Sequence, residues 1–205
     1  MTATHLEVLV EEPSMEAFLR ALLPRLLPVE RSFEVHPFQG KADLLSKLQN
    51  RLRGYAEWLP HDWRIVVVVD RDDDDCKKLK RRLEQIASDS GLTTPSRARG
   101  RRWQLVNRIA IEELEAWYFG DWEAVRSAFP RVPANIPRQA GYRNADAIRG
   151  GTWEAFERIV QRHGYFKAGL PKVETARMLG RLLDPARCNS MSFIRFRAAI
   201  SEALA

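Results

Sequence analysis

Cysteine is scarce in this 205-residue chain: Cys76 and Cys188 are the two present. Two thiols so far apart supply neither a Cys-x-x-Cys zinc ligand pair nor the framework that staples small secreted domains, so both are expected to be reduced. Long apolar runs are missing as well. The run at residues 65–69 falls far short of the roughly 20 residues that a membrane-spanning helix needs. No basic stretch followed by an apolar one stands at the start, and a cytoplasmic protein away from the membrane is the expectation. There is no Gly-x-x-x-x-Gly-Lys loop, which argues against an ATPase on this chain. The four histidines, His5, His36, His61 and His163, show no metal-ligand spacing.

What is present is an ordinary globular composition, 45% apolar and 29% charged, enough for one domain with a real core. Lys and Arg outnumber Asp and Glu by 33 to 27. That balance tilts the expectation toward a polyanionic partner such as nucleic acid.

The apolar periodicity predicts an alternation of strands and helices. HLEVLV reads as a buried strand, followed after EEPS by Met15, Phe18, Leu19, Leu22 and Leu23 at helical spacing. SFEVHPF is a second strand, and Leu44, Leu45, Leu48, Leu52, Tyr55 and Ala56 form the stripe of a second helix. RIVVVVD is a continuous β-branched run, the mark of a central strand covered on both faces. A helix over residues 73–90 and a fourth strand in WQLVNRIAI complete a βαβαβαβ order. This order predicts an open three-layer, mostly parallel, Rossmann-like sheet of about four strands. After residue 120 the pattern is helical, at 122–129, 152–161, 172–183 and 192–203, with a proline-rich loop between the first two. The expected organisation is an α/β domain over 1–120 with a helical region over 121–205 packed on it. Trp117 is expected in the core with Tyr118 and Phe119.

The stretch VVVVDRDDDD sets five aspartates at the end of the greasiest segment of a basic chain. Two carboxylates ~4 Å apart repel by roughly 4 kcal/mol at an effective dielectric near 20. A helix dipole returns only about 0.3–1 kcal/mol per side chain, enough to explain acids that begin a helix but not Asp70, which still belongs to the strand. Glu11 and Glu12 follow the first strand, and Glu112, Glu113 and Glu115 the fourth, so three strand ends aim carboxylates at one sheet edge. In a 2-1-3-4 order Glu11 and Asp70 are neighbours within reach of a shared ion. All-oxygen ligands suit a hard cation, Mg²⁺ or Mn²⁺.

VLVEEPSMEAFL and VVVVDRDDD resemble the two motifs of Toprim domains. FQGKADLL, IEELEAWYFGD, GYFKAGLPKVETARMLGRLLDP and CNSMSFIRF extend the resemblance over nearly the whole chain to the stand-alone bacterial Toprim-like proteins grouped as domain-of-unknown-function family 4276. The resemblance implies a Toprim-like fold and a metal-dependent nuclease or phosphoesterase. Glu11 would be the general acid or base, Asp70 and Asp72 the metal-binding pair, Asp74 a weaker third acid, and Glu115 an acid near the same ion. It further implies a role in bacterial defence beside an ATPase partner. Toprim motifs usually have glycine where Glu12 stands, and a side chain there narrows the approach of a phosphate. A Toprim fold that binds nucleic acid or a partner protein without catalysis is therefore the alternative. No tyrosine accompanies the acids of the four strands, so a topoisomerase is unsupported. A phosphotransferase of the dehalogenase type would want threonine or valine where Asp74 stands.

Basic residues supply candidate nucleic-acid contacts. These are the loop residues Arg97, Arg99, Arg101 and Arg102, with Trp103 beside them, and Lys41, Lys167 and Lys172 as phosphate contacts. The run over residues 77–82 is the pattern of a solvated helix face.

Overall fold

A computed structural model describes residues 2–100 and 102–205. Four strands, β1 (His5–Val10), β2 (Ser32–Pro37), β3 (Trp63–Asp70) and β4 (Leu105–Ala110), form one all-parallel sheet in the order β2-β1-β3-β4. Glu7 lies opposite Glu34 on one side and Ile65 on the other, and Val67 opposite Asn107. The expected α/β class, strand order and central position of the valine run hold.

Alternation along the strands divides the core. Val8, Val10, Val66, Val68 and Val106 face one layer, and Leu9, Ile65, Val67, Val69 and Leu105 face the other. The second layer is built by α2 (Lys41–Trp58), through Leu44, Leu48, Leu52 and Tyr55, and by α3 (Cys76–Asp89), through Leu79, Leu83 and Ala87. The first layer is α1 (Pro13–Leu22) together with the C-terminal helices: α4 (Glu115–Gly120), α5 (Trp122–Ala128), α6 (Thr152–Arg162), α7 (Lys172–Leu182) and α8 (Met191–Leu204). Those helices share one continuous core with the sheet. Trp117 is fully buried there and donates through Nε1 to Ser192 Oγ at 3.0 Å. Tyr118 and Phe119 are buried beside it.

α7 lies along α1, and Gly180 permits that approach. A Cβ at this position would stand 2.4 Å from the carbonyl oxygen of Phe18. Both cysteines are free thiols, and Cys188 is buried. Among the described residues no helix is long and apolar enough to cross a membrane.

Two expectations need correction. The third helix begins at Cys76, not residue 73, because Asp72 adopts φ 46° and turns the chain before Asp75 caps the helix by accepting Lys78 N–H at 2.8 Å. Only Asp75 therefore has the helix-start role that the acidic run suggested. Trp103 is buried with the Arg64 guanidinium over its ring, so it packs the core rather than presenting a stacking face.

Candidate functional site

α1 carries the chain from β1 to β2, and α2, on the other face, carries it from β2 back past β1 to β3, so the strand order reverses between β1 and β3 at their carboxyl ends. Such switch points are where open parallel sheets gather ligands. Glu11 follows β1 and Asp70 ends β3, both nearly buried. The backbone N–H of Asp70 donates to Glu11 Oε2 at 3.1 Å, which fixes the first carboxylate against the second strand. The main chain is tied in turn: Gly40 N–H donates to Glu11 O at 2.9 Å, and Gly40 holds φ 99°, a conformation glycine adopts freely. That turn starts α2 and sets Lys41 at the rim of the site.

The carboxylates of Glu11, Glu12, Asp70, Asp72 and Glu115 lie close enough to act on one another electrostatically. Burial, with the charge of Asp72 beside it, raises the Glu11 pKa to about 7. Glu115, buried next to Glu113, is raised to about 8. Asp70 is pushed well above the usual carboxylate range by burial and then by the charges of Glu11 and Glu115. Its Oδ1 is buried with no hydrogen-bond partner. A buried, unpaired carboxylate oxygen facing other acids is a costly arrangement that a bound cation would relieve.

Asp72 and Asp74 are placed differently from the expectation of one convergent Asp-x-Asp group. Both are substantially exposed and face Lys41, whose Nζ is 2.7 Å from Asp72 and 2.9 Å from Asp74. Burial works against the Lys41 ammonium, but those two partners outweigh it and leave its pKa raised. Among the described residues, no group of three His, Cys, Asp or Glu side chains stands arranged to hold one ion. Glu11 and Asp70 form the inner pair, with Glu115 buried behind them and Asp72 and Asp74 in the ammonium-bound outer turn.

The acids after β4 divide their work. Glu112 pairs with Arg71 at 2.6 Å. Glu113 accepts from Thr152 Oγ1 at 3.0 Å and Trp153 N–H at 2.9 Å, which fastens the start of α6 to the site. Lys172, first residue of α7, lies 4.1 Å from the Trp153 ring centroid, and its charge pulls the Glu115 pKa down against burial. Lys41 and Lys172 are thus brought to the site, whereas Lys167 is exposed on the loop leading into α7. Arg97, Arg99 and Arg102 are not brought there. They precede β4, at the opposite end of a six-residue strand, roughly 20 Å from the acids. Arg101 lies outside the described residues.

Sequence reasoning set Glu12 and Glu113 at this sheet edge without giving them the roles they have here, and it read Tyr118 as core alone. Glu12 joins the acid cluster from the N-cap of α1, Glu113 anchors α6, and the buried Tyr118 hydroxyl feels the charges of Glu115 and Asp70, with burial raising its pKa most.

The sequence model of the family described as Domain of unknown function (DUF4276) matches residues 10–201, and the chain belongs to that family. No curated protein matches the chain. Among solved structures it is similar to the C-terminal region of the Burkholderia pseudomallei OLD protein, at 16% sequence identity and a TM-score of 0.43, over 98% of this chain and 100% of that one.

Proposed function

We propose that this member of the DUF4276 family is a Toprim-like, Mg²⁺- or Mn²⁺-dependent nuclease or phosphoesterase acting on nucleic acid. The observation that carries the reading is the buried Glu11–Asp70 pair at the switch point, with Asp70 Oδ1 left without a partner. The donor set fits a hard divalent cation. Mg²⁺ takes one or two carboxylates and fills its remaining positions with water and substrate phosphate, so a preformed cage of three acids is not required. Glu11 and Asp70 would hold the ion, with Asp72, Asp74 and Glu115 as the further acids. When bound, the ion supplies charge neutralisation and polarisation of a phosphoryl oxygen.

The rest falls to the chain's own groups. Beside a bound ion Glu11 would stand ionised, placed to accept a proton from an attacking water. Lys41 and Lys172 flank the acids and would orient a phosphodiester. A phosphate arriving at Lys41 would release Asp72 and Asp74 from their ion pairs. A role in bacterial defence, with a separate ATPase partner, is part of the same proposal and rests on the motif resemblance.

Labelled single- and double-stranded DNA and RNA incubated with Mg²⁺ or Mn²⁺ test the reading. Cleavage by the parent and none by Asp70→Ala is expected, and equal cleavage by both would refute the assignment. The Lys41 ion pairs with Asp72 and Asp74 favour a second reading, a fold that binds nucleic acid or a partner protein without turnover. It predicts salt-dependent binding and no cleavage under either metal.

A further inference from the structure

A cleft of about 600 Å³ opens in the C-terminal region, lined by Tyr142, Arg143, Asn144, Arg149 and Arg158 among others, and the carboxylate site does not use it. No acidic residue among those described lines it. Arg149 and Arg158 are exposed, and neither guanidinium has a hydrogen-bond or ion-pair partner among the described residues. The Arg143 side chain donates only to the carbonyl of Arg138, at 3.0 Å. The single acid of the same loop, Asp146, is engaged elsewhere, accepting from Ser190 Oγ at 2.8 Å and from Ser192 N–H at 3.0 Å at the start of α8. Three guanidiniums thus line one cleft, and the carboxylate nearest in sequence to Arg143 and Arg149 is committed to a helix cap.

The cleft also ends a stack of rings. Trp122 and Phe119 stack at 5.3 Å and 16°, and Phe119 and Tyr142 at 5.5 Å and 5°. Tyr142, half-buried, is the last of the three and lines the cleft. Arginines that bind phosphates beside a ring that can receive a base are the combination by which proteins hold single strands. The cleft is connected to the acids through α6. Arg149 precedes Thr152 by three residues, Arg158 follows it by six, a rise of about 9 Å, and Thr152 and Trp153 are bonded to Glu113.

We propose that this cleft binds a single-stranded segment of nucleic acid, with Arg143, Arg149 and Arg158 on its phosphates and Tyr142 against a base, and leads the strand along the start of α6 to the carboxylates. The inference names the substrate class of the hydrolase proposed above and rests on that reading for its purpose. Its test does not. Fluorescence anisotropy of labelled oligothymidine and oligouridine of about 20 nucleotides is measured in EDTA over a range of salt. Arg149→Ala/Arg158→Ala should bind about tenfold more weakly, with a salt slope shallower by about 1.4, while Lys47→Ala/Arg53→Ala, which removes equal charge from α2, should bind nearly as the parent does.

Undiminished binding by the cleft variant, equal weakening by both variants, or no binding by the parent would each overturn the proposal. So would displacement of the oligonucleotide by thymidine monophosphate at matched phosphate concentration, which would make the cleft a nucleotide pocket. Parallel cleavage assays separate the two claims. Arg149- and Arg158-dependent binding without any cleavage would sink the hydrolase and leave the cleft standing. Asp70-dependent cleavage with parental binding by the cleft variant would do the reverse.

Discussion

Glu11 receives the backbone N–H of Asp70 at 3.1 Å, so the first acid of the site is positioned by the main chain of the second. The Glu11 carboxylate cannot leave this place without breaking that bond at the β1–β3 junction, where Val10 and Val69 are completely buried. The acids are held together by the sheet, and their mutual repulsion is a load that the fold carries.

Removal of that load should stabilise the metal-free protein. Asp70→Asn keeps the shape and removes a carboxyl group whose ionisation is opposed by burial and by the charges of Glu11, Glu115 and Glu12. The expected outcome in EDTA at pH 8 is a melting temperature about 2–8 °C higher, together with loss of metal-dependent cleavage. Differential scanning calorimetry with a cleavage assay on the same sample checks both.

The raised carboxylates also set a pH dependence. Between the ordinary value of 4.5 and the folded-state values near 7 for Glu11 and 8 for Glu115, the native protein holds protons that the unfolded chain has released. Stability is therefore greatest below about pH 4.5 as far as these groups are concerned, and it falls as pH rises through that window. Urea denaturation in EDTA from pH 5 to 9 should show the decline, on the order of a few kcal/mol in total. Glu115→Gln should remove part of it, with Glu11 and Asp70, both raised by burial, supplying the rest.

Lys41 separates a structural from a functional role. Its partners Asp72 and Asp74 are exposed, so Lys41→Ala should cost no more than about 1 kcal/mol in folding. Its place at the rim of the acid cluster predicts a loss of roughly 10–100-fold in oligonucleotide cleavage. Chemical denaturation and initial rates, taken side by side, distinguish the two effects.

The contact between α1 and α7 reaches the site indirectly. Gly180→Ala puts a methyl group against the Phe18 carbonyl and should cost about 1–3 kcal/mol. Because α7 begins at Lys172, the displacement should also weaken substrate binding, visible as a raised KM with kcat less affected.

The four strands and their order were legible because the valine run admits one role, a central strand, and the topology then puts Glu11 beside Asp70. The positions of Asp72 and Asp74 were not legible. A positive φ at Asp72 turns them to a lysine some thirty residues earlier in the chain, a pairing that no local pattern announces. The basic stretch over residues 97–102 drew attention by composition, yet its described residues precede a parallel strand and so lie at the end away from the acids. The arginines of the cleft are isolated in sequence, at 143, 149 and 158, and a turn and a helix bring them together. The Glu113 bonds to Thr152 and Trp153 are likewise long-range, and they fasten the C-terminal region to the sheet edge.

Binding of Mn²⁺ followed by electron paramagnetic resonance, with parent, Asp70→Asn and Glu11→Gln titrated at pH 8, is the most direct measurement of whether acids from separate strands share a cation. Signal loss on binding to the parent is expected, with affinity reduced at least about tenfold in each variant. Equal uptake of manganese by all three proteins, or none by the parent, would contradict it.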